Sequence, residues 1–88
     1  IALIPATYVD VAGDTMTGDL IFGDNVKLEI GSGLGGDLQL YHDGSNSYIV
    51  DGGTGNLKIY ASQLDIIGTN EIMATFVDDG AVTLYNNN

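Results

Sequence analysis

Gly36-Asp37-Leu38-Gln39-Leu40-Tyr41 is the stretch on which the fold turns. Its apolar residues recur every second position. A strand sends successive side chains to opposite faces, so Leu38 and Leu40 share one face and Gln39 and Tyr41 the other. A helix needs apolar residues three and four apart, which this stretch lacks. The same template returns in Gly55-Asn-Leu-Lys-Ile-Tyr60 and Gly80-Ala-Val-Thr-Leu-Tyr85. It reads glycine, small or polar, apolar, polar, apolar, tyrosine. A weaker copy, Gly18-Asp-Leu-Ile-Phe22, has its aromatic one place early. The full copies start at 36, 55 and 80, so the period is loose.

Outward from the hexads the alternation continues. Val26, Leu28 and Ile30 alternate with Lys27 and Glu29, and Leu64 and Ile66 flank Asp65. Each run is bounded by Gly, Asn or Asp, residues that tolerate positive φ or hydrogen-bond their own turn. Strands are expected to start near 19, 26, 38, 48, 57, 64, 72 and 81. In the run from Glu71 to Val77, Ile72, Met73 and Phe76 fall at helical spacing. The run is short for a helix and is read as a strand. Pro5 makes residues 1–12 extended rather than helical. The reading is an all-β chain of short strands with Gly/Asn/Asp turns. Residues 1–17 are an extended N-terminal connector and residues 18–88 a β-repeat segment.

Composition narrows the classes. The 88 residues include 26 of Ile, Leu, Val and Phe, too many for a disordered chain. They also include 13 Gly and no Cys. Ordering glycine costs more backbone entropy than ordering any other residue. A chain this small needs a staple, and without disulfides the remaining one is oligomerisation. Repeats of one short strand likewise need neighbours to cover their apolar faces. Twelve acidic residues face only Lys27 and Lys58, giving net charge −10. That charge argues against nucleic acid and anionic membrane as partners. No stretch has the length of apolar sequence needed to cross a membrane. The chain opens on Ile1, which leads to the expectation of a larger parent chain.

Motifs that might carry chemistry fail on context. Gly31-Ser-Gly33-Leu-Gly-Gly36 is a literal G-x-G-x-x-G, but dinucleotide binding requires a helix directly after it. Here an alternating strand follows, so the glycines read as a hairpin turn. The β-roll calcium nonapeptide is matched only at Gly33, Gly35 and Asp37. Asp43-Gly-Ser-Asn46 lacks the acidic residues of an EF-hand loop. His42 is the only histidine. It reads as a strand-end residue, although three copies on a threefold axis would bring three imidazoles together, with Asp43 to orient each ring. The serines lie in or beside turns without a nucleophile-elbow pattern. The carboxylates sit in turns, with no sign of the cleft that paired catalytic acids require. No enzyme activity, cofactor or metal is expected.

Two stretches resemble known proteins. Tyr8-Val-Asp-Val-Ala-Gly-Asp-Thr-Met-Thr-Gly-Asp-Leu20 resembles the G-[GD]-T-M-T-G-x-[LI] segment that recurs in phage tail fibres. Asp37-Leu-Gln-Leu-Tyr-His-Asp-Gly-Ser-Asn-Ser-Tyr-Ile49 is similar to a repeat of tail-fibre proteins from marine phages, including cyanophages. Asp79-Gly-Ala-Val-Thr-Leu-Tyr-Asn-Asn87 resembles the element that closes such repeats. The resemblance implies an elongated, parallel homotrimer, β-helix-like or β-prism-like, with its chains about a threefold axis. It implies a structural role in the virion tail, in the shaft or the proximal attachment of the fibre. The implied partners are further copies of the chain and other virion tail proteins, with the host receptor met by other parts of the fibre. More sequence is expected beyond Asn86-Asn-Asn88.

On that reading Leu38, Leu40, Leu57, Ile59, Leu64, Ile66, Val82 and Leu84 meet in a core shared between chains. Tyr41, Tyr60 and Tyr85, of opposite parity, lie on the outer face or at strand edges. Two other classes stay open at this point. One is a glycan-binding module using Tyr41, His42 and Tyr60. The other is the stalk of a bacterial trimeric adhesin.

Overall fold

A computed structural model of the chain describes residues 8–86. Six short strands form two antiparallel sheets, and no helix occurs among the described residues. The chain divides into two compact units, Ile1–Gly55 and Asn56–Asn88, and each holds one sheet. Of the expected connector, residues 1–7 lie outside the described residues, as does most of the stretch governed by Pro5. Residues 8–17 carry no strand; a turn there is closed by the Gly13 N–H donating to the Asp10 carbonyl at 3.0 Å.

The first sheet contains β1 (Leu28–Ile30), β2 (Leu38–His42) and β3 (Ser47–Asp51), in that order. Its register places Leu28 opposite Leu40 and Leu40 opposite Ile49, and Ile30 opposite Leu38. Directly opposed residues of an antiparallel pair point to the same side. One face is therefore built from Leu28, Ile30, Leu38, Leu40 and Ile49. The other carries Glu29, Gln39 and Val50 in one row, with Tyr41 opposite Tyr48 in the next.

Local chemistry fixes both hairpins of this sheet. Gly31–Gly36 connects β1 to β2 as a turn, as the sequence reading expects of its glycines. Gly36 sits at φ +81, and a Cβ there would stand 2.8 Å from the Glu29 Cβ. Only glycine fits both conditions without strain. Asp37 ties the loop down: its amide donates to the Ile30 carbonyl at 2.8 Å and its carboxylate accepts from the Gly33 N–H at 3.2 Å. Between β2 and β3, Asp43 organises a four-residue turn. Its Oδ1 accepts from the N–H groups of Ser45 at 2.9 Å and Asn46 at 2.7 Å, the Asx-turn geometry that favours Asp here.

The second sheet contains β4 (Gln63–Ile67), β5 (Ile72–Val77) and β6 (Val82–Leu84). Leu64, Phe76 and Val82 form one row, and Ile66, Ala74 and Leu84 the next, all on one face. Asp65, Thr75 and Thr83 lie on the other. A bulge at Ile66/Ile67 ends the regular pairing of β4. The run from Glu71 is a strand, β5, and not a helix.

Two expected strands do not form. Residues 19–22 and 57–60 take part in no ladder. The hexad thus has three fates: Gly36–Tyr41 enters β2, Gly80–Tyr85 supplies β6, and Gly55–Tyr60 stays unpaired. Alternation makes a segment capable of pairing, but a strand exists only once a partner supplies the ladder hydrogen bonds.

Candidate functional site

The most conspicuous surface feature is what the sheets fail to cover. Among the described residues only Ala74 and Thr75 are buried, at 7% and 8% exposed, and no large side chain is fully buried. On the first sheet's apolar face, Leu28, Ile30 and Ile49 are exposed, while Leu38 and Leu40 are half-buried. On the second, Ile66, Phe76, Val82 and Leu84 are exposed, and Leu64 is half-buried. Continuous apolar faces of this kind mark interaction surfaces.

Six of the eight residues expected in a shared core fall on these two faces. The structure groups Leu38 with Leu40, and Leu64 and Ile66 with Val82 and Leu84. Leu57 and Ile59 join neither face and stand exposed in the unpaired stretch. Ile49, Leu28, Ile30 and Phe76 complete the faces without having been singled out for them. Ile49 is found only through the register that sets it opposite Leu40.

The residues considered for surface contact are placed differently from one another. Tyr41 is half-buried rather than presented. Its ring stacks on Tyr48 with centroids 4.7 Å apart and planes at 28°. The Lys27 Nζ lies 4.7 Å from its centroid, in cation–π geometry. Tyr60 is 90% exposed. His42 Nδ1 meets the Ser47 hydroxyl at 2.9 Å.

Asp43 does not orient the histidine ring. Its second oxygen accepts from the Tyr48 hydroxyl at 2.7 Å. The Asn46 amide, the Tyr48 hydroxyl and the Ser45 amide together hold the Asp43 carboxyl down to about 2. The same carboxylate raises the Tyr48 hydroxyl above its ordinary value. Donors that stabilise the ionised carboxylate produce both shifts. The network locks the β2–β3 turn. Among the described residues no three His, Cys, Asp or Glu side chains converge as metal ligands. A shallow cleft of about 260 Å³ is lined by residues of the stretch from Tyr8 to Asp19.

No family model, no curated protein and no solved structure matches the chain.

Proposed function

We propose that the chain is a structural segment of a phage tail fibre, acting as a homotrimer and without catalysis. One observation carries the proposal: seven of the eleven residues on the two apolar sheet faces are exposed on a single chain. Association is the physical remedy for such faces. Burying one Leu-sized side chain contributes about 1.5–3 kcal/mol, and a trimer repeats that gain three times. The link to phage tails rests on the resemblance of residues 8–20, 37–49 and 79–87 to tail-fibre segments. In this role the function is mechanical. Apolar rows join the chains, ladder hydrogen bonds hold each sheet, and the acidic exterior keeps fibres apart from one another. The segment sits in the shaft or the proximal attachment of the fibre, in the virion tail, and other tail proteins are its neighbours.

Sedimentation equilibrium tests this. The chain is expected at three times its 9.2 kDa mass. Leu40→Asp puts a carboxylate in the central row between Leu28 and Ile49 and is expected to abolish the trimer. A wild-type chain that remains monomeric, or a trimer that survives Leu40→Asp, refutes the shared core.

A further inference from the structure

We infer that the unpaired stretch 56–60 of one copy adds to the open edge of β1 in a second copy, as a fourth strand of the first sheet. This rests on the homotrimer reading and adds a pairing mode to it.

The stretch has what a strand needs except a partner. Its sequence repeats the hexad that forms β2, and Leu57 and Ile59 alternate with Lys58. Its backbone donors and acceptors belong to no ladder. In the sheet order β1-β2-β3, the outer edge of β1 is likewise unpaired. Open edges are templates for strand addition.

Charge and parity select β1 among the open edges. Its sequence is Leu28-Glu29-Ile30, apolar, acidic, apolar. Set against Leu57-Lys58-Ile59, it places Lys58 opposite Glu29 whether the added strand runs parallel or antiparallel. Leu57 and Ile59 then extend the apolar face of Leu28 and Ile30. Among the described residues, neither Lys58 nor Glu29 has a hydrogen-bond or ion-pair partner within the chain. The edge of β4 carries a similar triplet around Asp65, but that carboxylate already accepts from Gln63 Nε2 at 2.9 Å. β6 offers Lys58 no acid at all, and β3 has its one acid, Asp51, at the strand end rather than between two apolar residues.

A second copy suits this edge better than an unrelated protein. Both halves of the match are present on every copy. A segment passed from each copy to the next is a head-to-tail contact, which closes into a ring when the rotation permits.

The test combines amide hydrogen exchange with sedimentation on the full chain, wild type and charge-swapped. Amides of residues 57–60 are expected to become protected only as the chain assembles. Lys58→Glu sets two carboxylates face to face at each contact and raises the half-assembly concentration about tenfold. Adding Glu29→Lys to that variant restores it. Assembly with the 57–60 amides still unprotected, or a double variant no better than Lys58→Glu, overturns the added strand and leaves the homotrimer standing. Protection that is independent of concentration also overturns it, because the stretch then pairs within its own chain. A wild-type monomer overturns the homotrimer reading and this pairing together. The exchange arm needs no variant, so it decides even where Lys58→Glu fails to fold.

Discussion

On the proposed homotrimer, Leu84→Ala separates assembly from the folding of a single chain. Leu84 ends β6 and is 76% exposed, so the isolated chain loses little when it is shortened. Complete burial of a Leu-sized side chain contributes about 1.5–3 kcal/mol, so covering the exposed three-quarters of Leu84 in the proposed trimer would add about 1–2 kcal/mol. Three copies make the loss about 3–6 kcal/mol per trimer, or roughly 10²- to 10⁴-fold in the association constant. The half-assembly concentration of a trimer varies as the inverse square root of that constant, so it should rise about 10- to 100-fold. Sedimentation equilibrium over a dilution series reads this directly, with far-UV circular dichroism confirming that the strands persist. Leu34→Ala is the matched control. Leu34 is as apolar and fully exposed at 108%, but it stands in the Gly31–Gly36 turn and on neither sheet face. A midpoint that moves no further for Leu84→Ala than for Leu34→Ala refutes the assignment of this face to assembly.

Three further substitutions probe the sheets themselves. The Asp43 carboxyl is depressed to about 2, so its contribution to the β2–β3 turn is complete above the unfolded value near 4 and lost as pH falls through about 2. Asp43→Asn should remove that part of the acid limb in pH-dependent thermal melts, and an unchanged limb argues against the turn network. Gly36→Ala forces a side chain into positive φ beside Glu29 and should cost about 1–2 kcal/mol, seen as a lower urea midpoint. Among the described residues the buried Thr75 hydroxyl has no hydrogen-bond partner. Thr75→Val removes that unmatched group at nearly constant volume and should raise stability by about 1 kcal/mol; a clear loss in the same urea titration would show that the hydroxyl is satisfied in solution.

The sheet architecture was legible where sequence and partner agree locally. β2 and its hairpin follow from alternation at Leu38 and Leu40 and from the turn chemistry of Asp43-Gly44. β5 was separable from a helix only by its length, because Ile72, Met73 and Phe76 suit either period. The unpaired fate of residues 19–22 and 57–60 was not legible. Their patterns match those of real strands, and the missing ingredient is a neighbour, which no local pattern encodes. The composition of the apolar faces was half legible. Ser47–Asp51 offers Tyr48 and Val50 on one side and Ile49 on the other, so alternation alone cannot say which side faces Leu40. The four-residue turn sets the register and brings Ile49 to the apolar face, with Tyr48 against Tyr41. The same register leaves Asp43 bonded to Tyr48 and His42 to Ser47, a division that their adjacency in sequence does not suggest.

The turns also govern how this protein ages. Asp-Gly sequences isomerise when the glycine nitrogen attacks the aspartyl carboxyl carbon, expelling water to close a succinimide that reopens mainly as isoaspartate. The chain has three such sequences, and each is guarded in its own way. At Asp51-Gly52 and Asp79-Gly80 the glycine N–H is committed to the carbonyls of Asp37 and Val77, at 2.8 and 3.0 Å. At Asp43-Gly44 the carboxyl is held ionised by three donors and is a poor electrophile. Isoaspartate in a stored sample therefore reports that a turn has opened, and the position at which it accumulates names the turn.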